Sequence, residues 1–187
     1  MLEKFQQILG YDNKKLNNKL KKNTIILFIK IILIAVVFTL LINKFFIFKA
    51  NVPTASMAPN ININDKLLVT RVYNLDTLQF GDIVVFYSKE FNEYMVKRLI
   101  GLPGDFISMD EGSLYVNGEY KRESYIQNVD DYTGKFKVPD EEYFFLGDNR
   151  LISLDSRLWD KTCVNGQDII GIVRFRIYPF KNIGSIK

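Results

Sequence analysis

The 187-residue chain contains no histidine. A Ser-His-Asp triad is therefore excluded. It has a single cysteine, Cys163, so no internal disulfide forms and the redox compartment stays open. There is no large excess of either charge: 25 Lys and Arg stand against 21 Asp and Glu, a net charge of +4. That excess lies near the N-terminus, without the basic stripe on a folded domain that nucleic-acid binding would require. Internal repeats, low-complexity tracts, metal-ligand clusters and phosphate-cradling glycine loops are also missing, so no metal or cofactor is expected. What is present is apolar: hydrophobic residues make up 48% and aromatics 14%, too many for a disordered chain. The length fits one domain and a tail.

The apolar residues are unevenly spread. Residues 1–22 are polar and lysine-rich, whereas 25–42 are almost wholly apolar, broken by Lys30 and Thr39. As a helix that run is about 27 Å long, close to the hydrocarbon thickness of a bilayer. It exceeds the core of a cleavable signal peptide, and Phe45-Phe46-Ile47-Phe48-Lys49 is a poor cleavage site. Lys30 can snorkel toward the basic end. More lysines precede the run than follow it, so residues 1–22 are expected in the cytoplasm and the chain from Asn51 onward outside. The expected division is a basic tail over 1–22, a membrane helix with its interface over 23–48, and an extracytoplasmic domain over 49–187.

That domain has the pattern of a sheet protein. Short β-branched and aromatic runs at 66–73, 82–87, 94–100, 106–109, 113–116, 142–146 and 169–178 are bounded by turn residues. Asn117-Gly118 predicts a type I′ hairpin turn. Residues 123–141 are charged and aperiodic, the pattern of a surface loop. A mostly-β barrel or sandwich follows.

Three segments carry residues suited to nucleophilic chemistry. Ser56 lies between Pro53 and Pro59, in a stretch that is neither helix nor central strand. Lys97 and Arg98 are adjacent cations on an apolar strand. Without imidazole, a lysine is the base with precedent for a serine nucleophile, and burial lowers its proton affinity by up to about 3–5 units. Met95 and Leu99 share its strand face and would supply a dry wall, and a nearby arginine would act in the same direction. In Gly147-Asp148-Asn149-Arg150 and the residues after it, Ser153, Asp155 and Arg157 alternate, so in an extended chain they project together. Each segment also has a plain structural reading: a turn serine, a lysine guarding a sheet edge, and a polar turn with an ion pair.

Taken together, the segments resemble the type I signal peptidases, bacterial membrane-bound serine proteases. The matching residues are Pro53-x-x-Ser56-Met57-x-Pro59, Asp65-x-Leu67, Gly81 to Phe86, Lys97-Arg98-x-x-Gly101-x-Pro103-Gly104-Asp105, and Gly147-Asp148-Asn149-Arg150-x-x-Ser153-x-Asp155-Ser156-Arg157. Their joint order is far more specific than any one block. The resemblance implies Ser56 as nucleophile, Lys97 as general base, and Ser153 bonded to the Lys97 ammonium. Asp155 and Arg157 would hold the site together. The Ser56 N–H would serve the oxyanion hole, with Thr54 at the position of a further hydroxyl donor. It also implies a hydrophobic face at the lipid bilayer and substrates, the signal peptides of preproteins, that lie extended along a sheet edge. The chain departs from the family pattern in two places. Ala55 replaces a glycine before the nucleophile, and Trp159-Asp160 replaces a later glycine, placing bulk at the expected rim of the site. Two other readings remain: a tethered non-catalytic β-domain, and a self-cleaving Ser/Lys repressor-type protease, which would need a soluble DNA-binding N-terminus. Oligomeric state is not legible.

Overall fold

The computed structural model describes residues 1, 4–5, 13–127 and 129–186, so much of the basic tail lies outside the described residues. The chain divides into two compact units, Met1–Phe45 and Phe46–Lys187.

The first unit is dominated by helix α1, Asn13–Phe45. Within it Leu16–Ile42 is long and apolar enough to cross a membrane. Every side chain from 16 to 41 is exposed, so no protein core accounts for this apolar surface. The hydroxyls of Thr24 and Thr39 donate to the carbonyls of Leu20 and Ala35 at 2.9 and 2.8 Å. This satisfies them inside the helix, as a hydrocarbon surrounding would demand.

The second unit is antiparallel sheet. β1 (Ile47–Asn51), β2 (Lys66–Arg71), β3 (Ile83–Ser88) and β4 (Glu93–Gly101) join β9 (Glu142–Leu146), β10 (Val164–Asn165) and β11 (Ile169–Tyr178) in the order β1-β2-β11-β3-β4-β9-β10. The short β12 (Gly184–Ser185) pairs with β11. A smaller sheet runs β7-β6-β5-β8, built from β5 (Phe106–Asp110), β6 (Ser113–Val116), β7 (Glu119–Tyr120) and β8 (Gly134–Lys137). Asn117 and Gly118 both take positive φ, 53° and 81°, as the predicted hairpin turn requires. The smaller sheet buries Ile107, Met109 and Leu114 against Phe144 and Leu146 of β9.

The helix ends at Phe45, and Phe48 belongs to β1, where it pairs with Val69. One expectation changes: among its described residues, the stretch 123–141 is not simply a surface loop. β8 pairs with β5, Val138 is fully buried, and Glu123 and Asp130 are drawn inward by arginines described below.

Candidate active site

Ser56 is presented by the irregular segment that follows β1. Val52, Met57 and Ile61 anchor that segment in a core shared with Leu67 and Val69. Backbone bonds stiffen it: Val52 N–H donates to the Asp65 carbonyl at 3.1 Å and Ile61 N–H to that of Met57 at 2.8 Å. Between these anchors Ser56 is half-buried, and its Oγ lies 3.3 Å from the Thr54 Oγ1. The sequence thus folds a small-residue turn whose flanks are anchored and whose serine lines a cleft.

Lys97 comes from β4. Strand alternation puts it on one face with Met95 and Leu99, which pack beside Phe86 and Phe145. It is 4% exposed, and its Nζ donates to the Ser153 Oγ at 3.0 Å. Burial is the main influence on its proton affinity and pushes its pKa down to about 8. Asp155 opposes this, Arg157 assists it, and Glu93 and Asp148 weakly oppose it. The neighbouring arginine expected to help is therefore Arg157, brought by tertiary structure, rather than Arg98.

The third segment holds these parts in place. Asp155 is fully buried and grips Arg157 through both carboxylate oxygens, accepting from Nε at 2.8 Å and from Nη2 at 2.9 Å. It also accepts the Gly147 N–H at 3.0 Å. The Asn149 N–H donates to the Ser56 carbonyl at 3.0 Å, tying this segment to the nucleophile candidate. Gly147 explains the close fit. A Cβ there would stand 2.1 Å from the Ser153 Oγ and 2.6 Å from the Ser56 carbonyl oxygen, so any side chain would push the segments apart. Ser153, Asp155 and Arg157 do converge, although not on a strand: residues 151–158 form turns and irregular chain.

Ser56, Thr54 and Lys97 line one cleft of about 290 Å³. Its walls run along residues 50–57 and 93–97. β1 is an edge strand, and β4 pairs with β9 only from Arg98 onward. Residues 93–97 therefore turn backbone toward the cleft on the side away from β3. A slot between two such edges suits an extended peptide that completes the sheet.

Several residues were missed by sequence reasoning. Arg98 occupies the opposite face of β4 from Lys97, donates to both oxygens of the buried Asp148 at 2.8 and 2.7 Å, and stacks 3.8 Å from the Tyr125 ring centre. Arg150 donates to Glu123 at 2.5 Å, and Arg157 also pairs with Asp130. Glu123 and Asp130 thus hold two of the arginines that follow the site's Gly147 turn. The arginines within the site segments were a signal, but their partners are distant in sequence. Trp159, expected at the rim, is instead buried against Phe86, with ring centroids 6.0 Å apart. Cys163 is half-buried, and burial raises its thiol to about 11, which keeps it protonated and weakly nucleophilic at neutral pH. Among the described residues, no three His, Cys, Asp or Glu side chains gather as a metal-binding group.

Residues 25–178 match the family model described as signal peptidase, peptidase S26. The chain is similar to signal peptidase I of Leptolyngbya laminosa, 37% identical over 168 residues, covering 84% of this chain and 82% of the relative. It is also similar to signal peptidase I P of Bacillus subtilis subsp. natto, 36% identical over 181 residues, covering 90% and 97% of the two chains. Among solved structures, a signal peptidase I from Enterococcus faecalis V583 is 32% identical with a TM-score of 0.45, covering 53% of this chain and 98% of that one. On the extent of the family match and the identity of these relatives over most of their length, the chain belongs to the S26 family of signal peptidases.

Proposed function

We propose that this protein is a membrane-anchored serine endopeptidase that removes signal peptides from exported preproteins, with Ser56 as nucleophile and Lys97 as general base. The observation that carries the reading is a buried lysine, its proton loosened by desolvation, lining the same cleft as a serine hydroxyl. The neutral Lys97 amine takes the Ser56 proton as Oγ attacks the scissile carbonyl. The resulting oxyanion is met by the Ser56 N–H, with the Thr54 hydroxyl close by. The protonated lysine then delivers its proton to the departing amine, and water releases the acyl group by the same steps in reverse. Ser153 fixes the Lys97 amine, while Asp155 and Arg157 fix the loop that carries Ser153.

In this reading residues 1–22 lie in the cytoplasm, 23–48 cross and leave the bilayer, and 49–187 form the extracytoplasmic peptidase domain. Support comes from the exposed apolar helix and from the lysine excess before it. Ser56→Ala and Lys97→Ala are each expected to lose more than about 10³-fold in preprotein cleavage with the fold retained. Wild-type processing by either variant would remove that residue from the mechanism.

A further inference from the structure

Two apolar side chains in the cleft have no role in the chemistry above. Ile152 and Leu154 are 62% and 44% exposed, and both line the cleft that holds Ser56 and Lys97. They flank Ser153, which is turned inward to Lys97 and is 2% exposed. Their position is rigidly set. Ser153 N–H donates to the Asn149 carbonyl at 3.0 Å, Asn149 N–H holds the Ser56 carbonyl at 3.0 Å, and Gly147 admits Ser153 at close range. A single large apolar side chain on a surface is ordinary, but two fixed beside a reacting hydroxyl form a contact surface.

Their place along the cleft identifies the occupant. The walls 50–55 and 93–96 lead up to Ser56 and Lys97, and under the proposed function they hold the substrate residues before the scissile bond. Ser153 of this segment is bonded to Lys97 and, in turn, to Asn149, whose N–H holds the Ser56 carbonyl, so the segment lies where the two walls end. A peptide that fills the walls and is cut at Ser56 must pass its next residues over this segment. We propose that Ile152 and Leu154 are specificity-determining residues for the mature side of the substrate, favouring apolar side chains in the first two positions after the cut. The inference rests on the serine-peptidase reading and deepens it.

The test uses the full-length protein in detergent micelles and two peptides with the same residues before the scissile bond. One continues Leu-Leu and the other Asp-Asp. The wild type is expected to favour the first by about tenfold in kcat/KM, mainly through KM, the size typical of apolar side chains in a shallow pocket. Ile152→Asn/Leu154→Asn is expected to bring that ratio close to one by raising KM for the Leu-Leu peptide. Both positions are exposed, so folding is not at stake, and thermal melting checks it. An unchanged ratio overturns the proposal. So does a loss equal for both peptides that appears in lipid vesicles but not in micelles, which would make these residues a bilayer contact. If neither peptide shows turnover that Ser56→Ala abolishes, the peptidase reading itself fails and this inference falls with it.

Discussion

Lys97 and Arg98 are neighbours on β4, both buried, and the two faces of the strand treat them in opposite ways. On one face Arg98 meets Asp148 through two hydrogen bonds, the Gly81 carbonyl through a third, and the Tyr125 ring. On the other face Lys97 has a hydroxyl as its hydrogen-bond partner, and the charges that act on it most, Asp155 and Arg157, are occupied with each other. One cation is fully compensated by committed partners. The other is left under-compensated, so its proton is easily lost. Burial alone does not make a base; burial without a committed counter-charge does.

The sharpest way to break this contrast is Arg98→Ala. It strands the fully buried Asp148 carboxylate and is expected to destabilise the domain by about 3–5 kcal/mol, measured by chemical unfolding. If Asp148→Asn in the same background restores nothing, the pair is not what the arginine serves.

Lys97→Met is expected to act with the opposite sign. The folded pKa of about 8 lies below the unfolded value of 10.5, so the unfolded chain holds the extra proton between those limits. The penalty of the buried charge is therefore fully present below pH 8 and fades as pH climbs to the unfolded value. Removing the charge should stabilise the protein near neutrality by up to about 3 kcal/mol, with the gain shrinking above pH 8. Melting curves across that window would show a pH-independent difference if Lys97 were not desolvated.

The smallest effect is expected from Ser153→Ala. The rate of preprotein cleavage in the wild type should rise with pH to a plateau above about 8, as Lys97 becomes neutral. Loss of the Ser153 acceptor destabilises the ammonium, so the rise moves to lower pH, while the plateau drops about tenfold because the amine is less well aimed. A lower plateau with no movement of the rise would assign Ser153 to packing alone.

Much of this was legible in the sequence, for reasons that are local. β11 is a run of β-branched and aromatic residues, the 113–116 hairpin strand alternates with period two, and both appear where expected. The site segments were legible because each carries its chemistry in a short run. What escaped depends on contacts between distant segments. Asp130 and Glu123 look like solvent-facing charges until Arg157 and Arg150 are brought to them from 27 residues away. Ser153, Asp155 and Arg157 were expected to converge through strand alternation, yet they do so on an irregular chain held by backbone bonds. A large residue in place of a small one points to the rim for Trp159. The sequence holds no sign that Phe86 and Phe91 leave room for it inside.

The gap between the edges of β1 and β4 has one more consequence. A sheet with a missing member accepts only chain whose amides and carbonyls are unspent. A helix has already used them, and a finished globule has hidden them. Under the proposed reading, the enzyme needs no list of proteins to spare: anything that has completed its own folding has nothing to offer the slot, and only a segment still unravelled as it emerges can be cut.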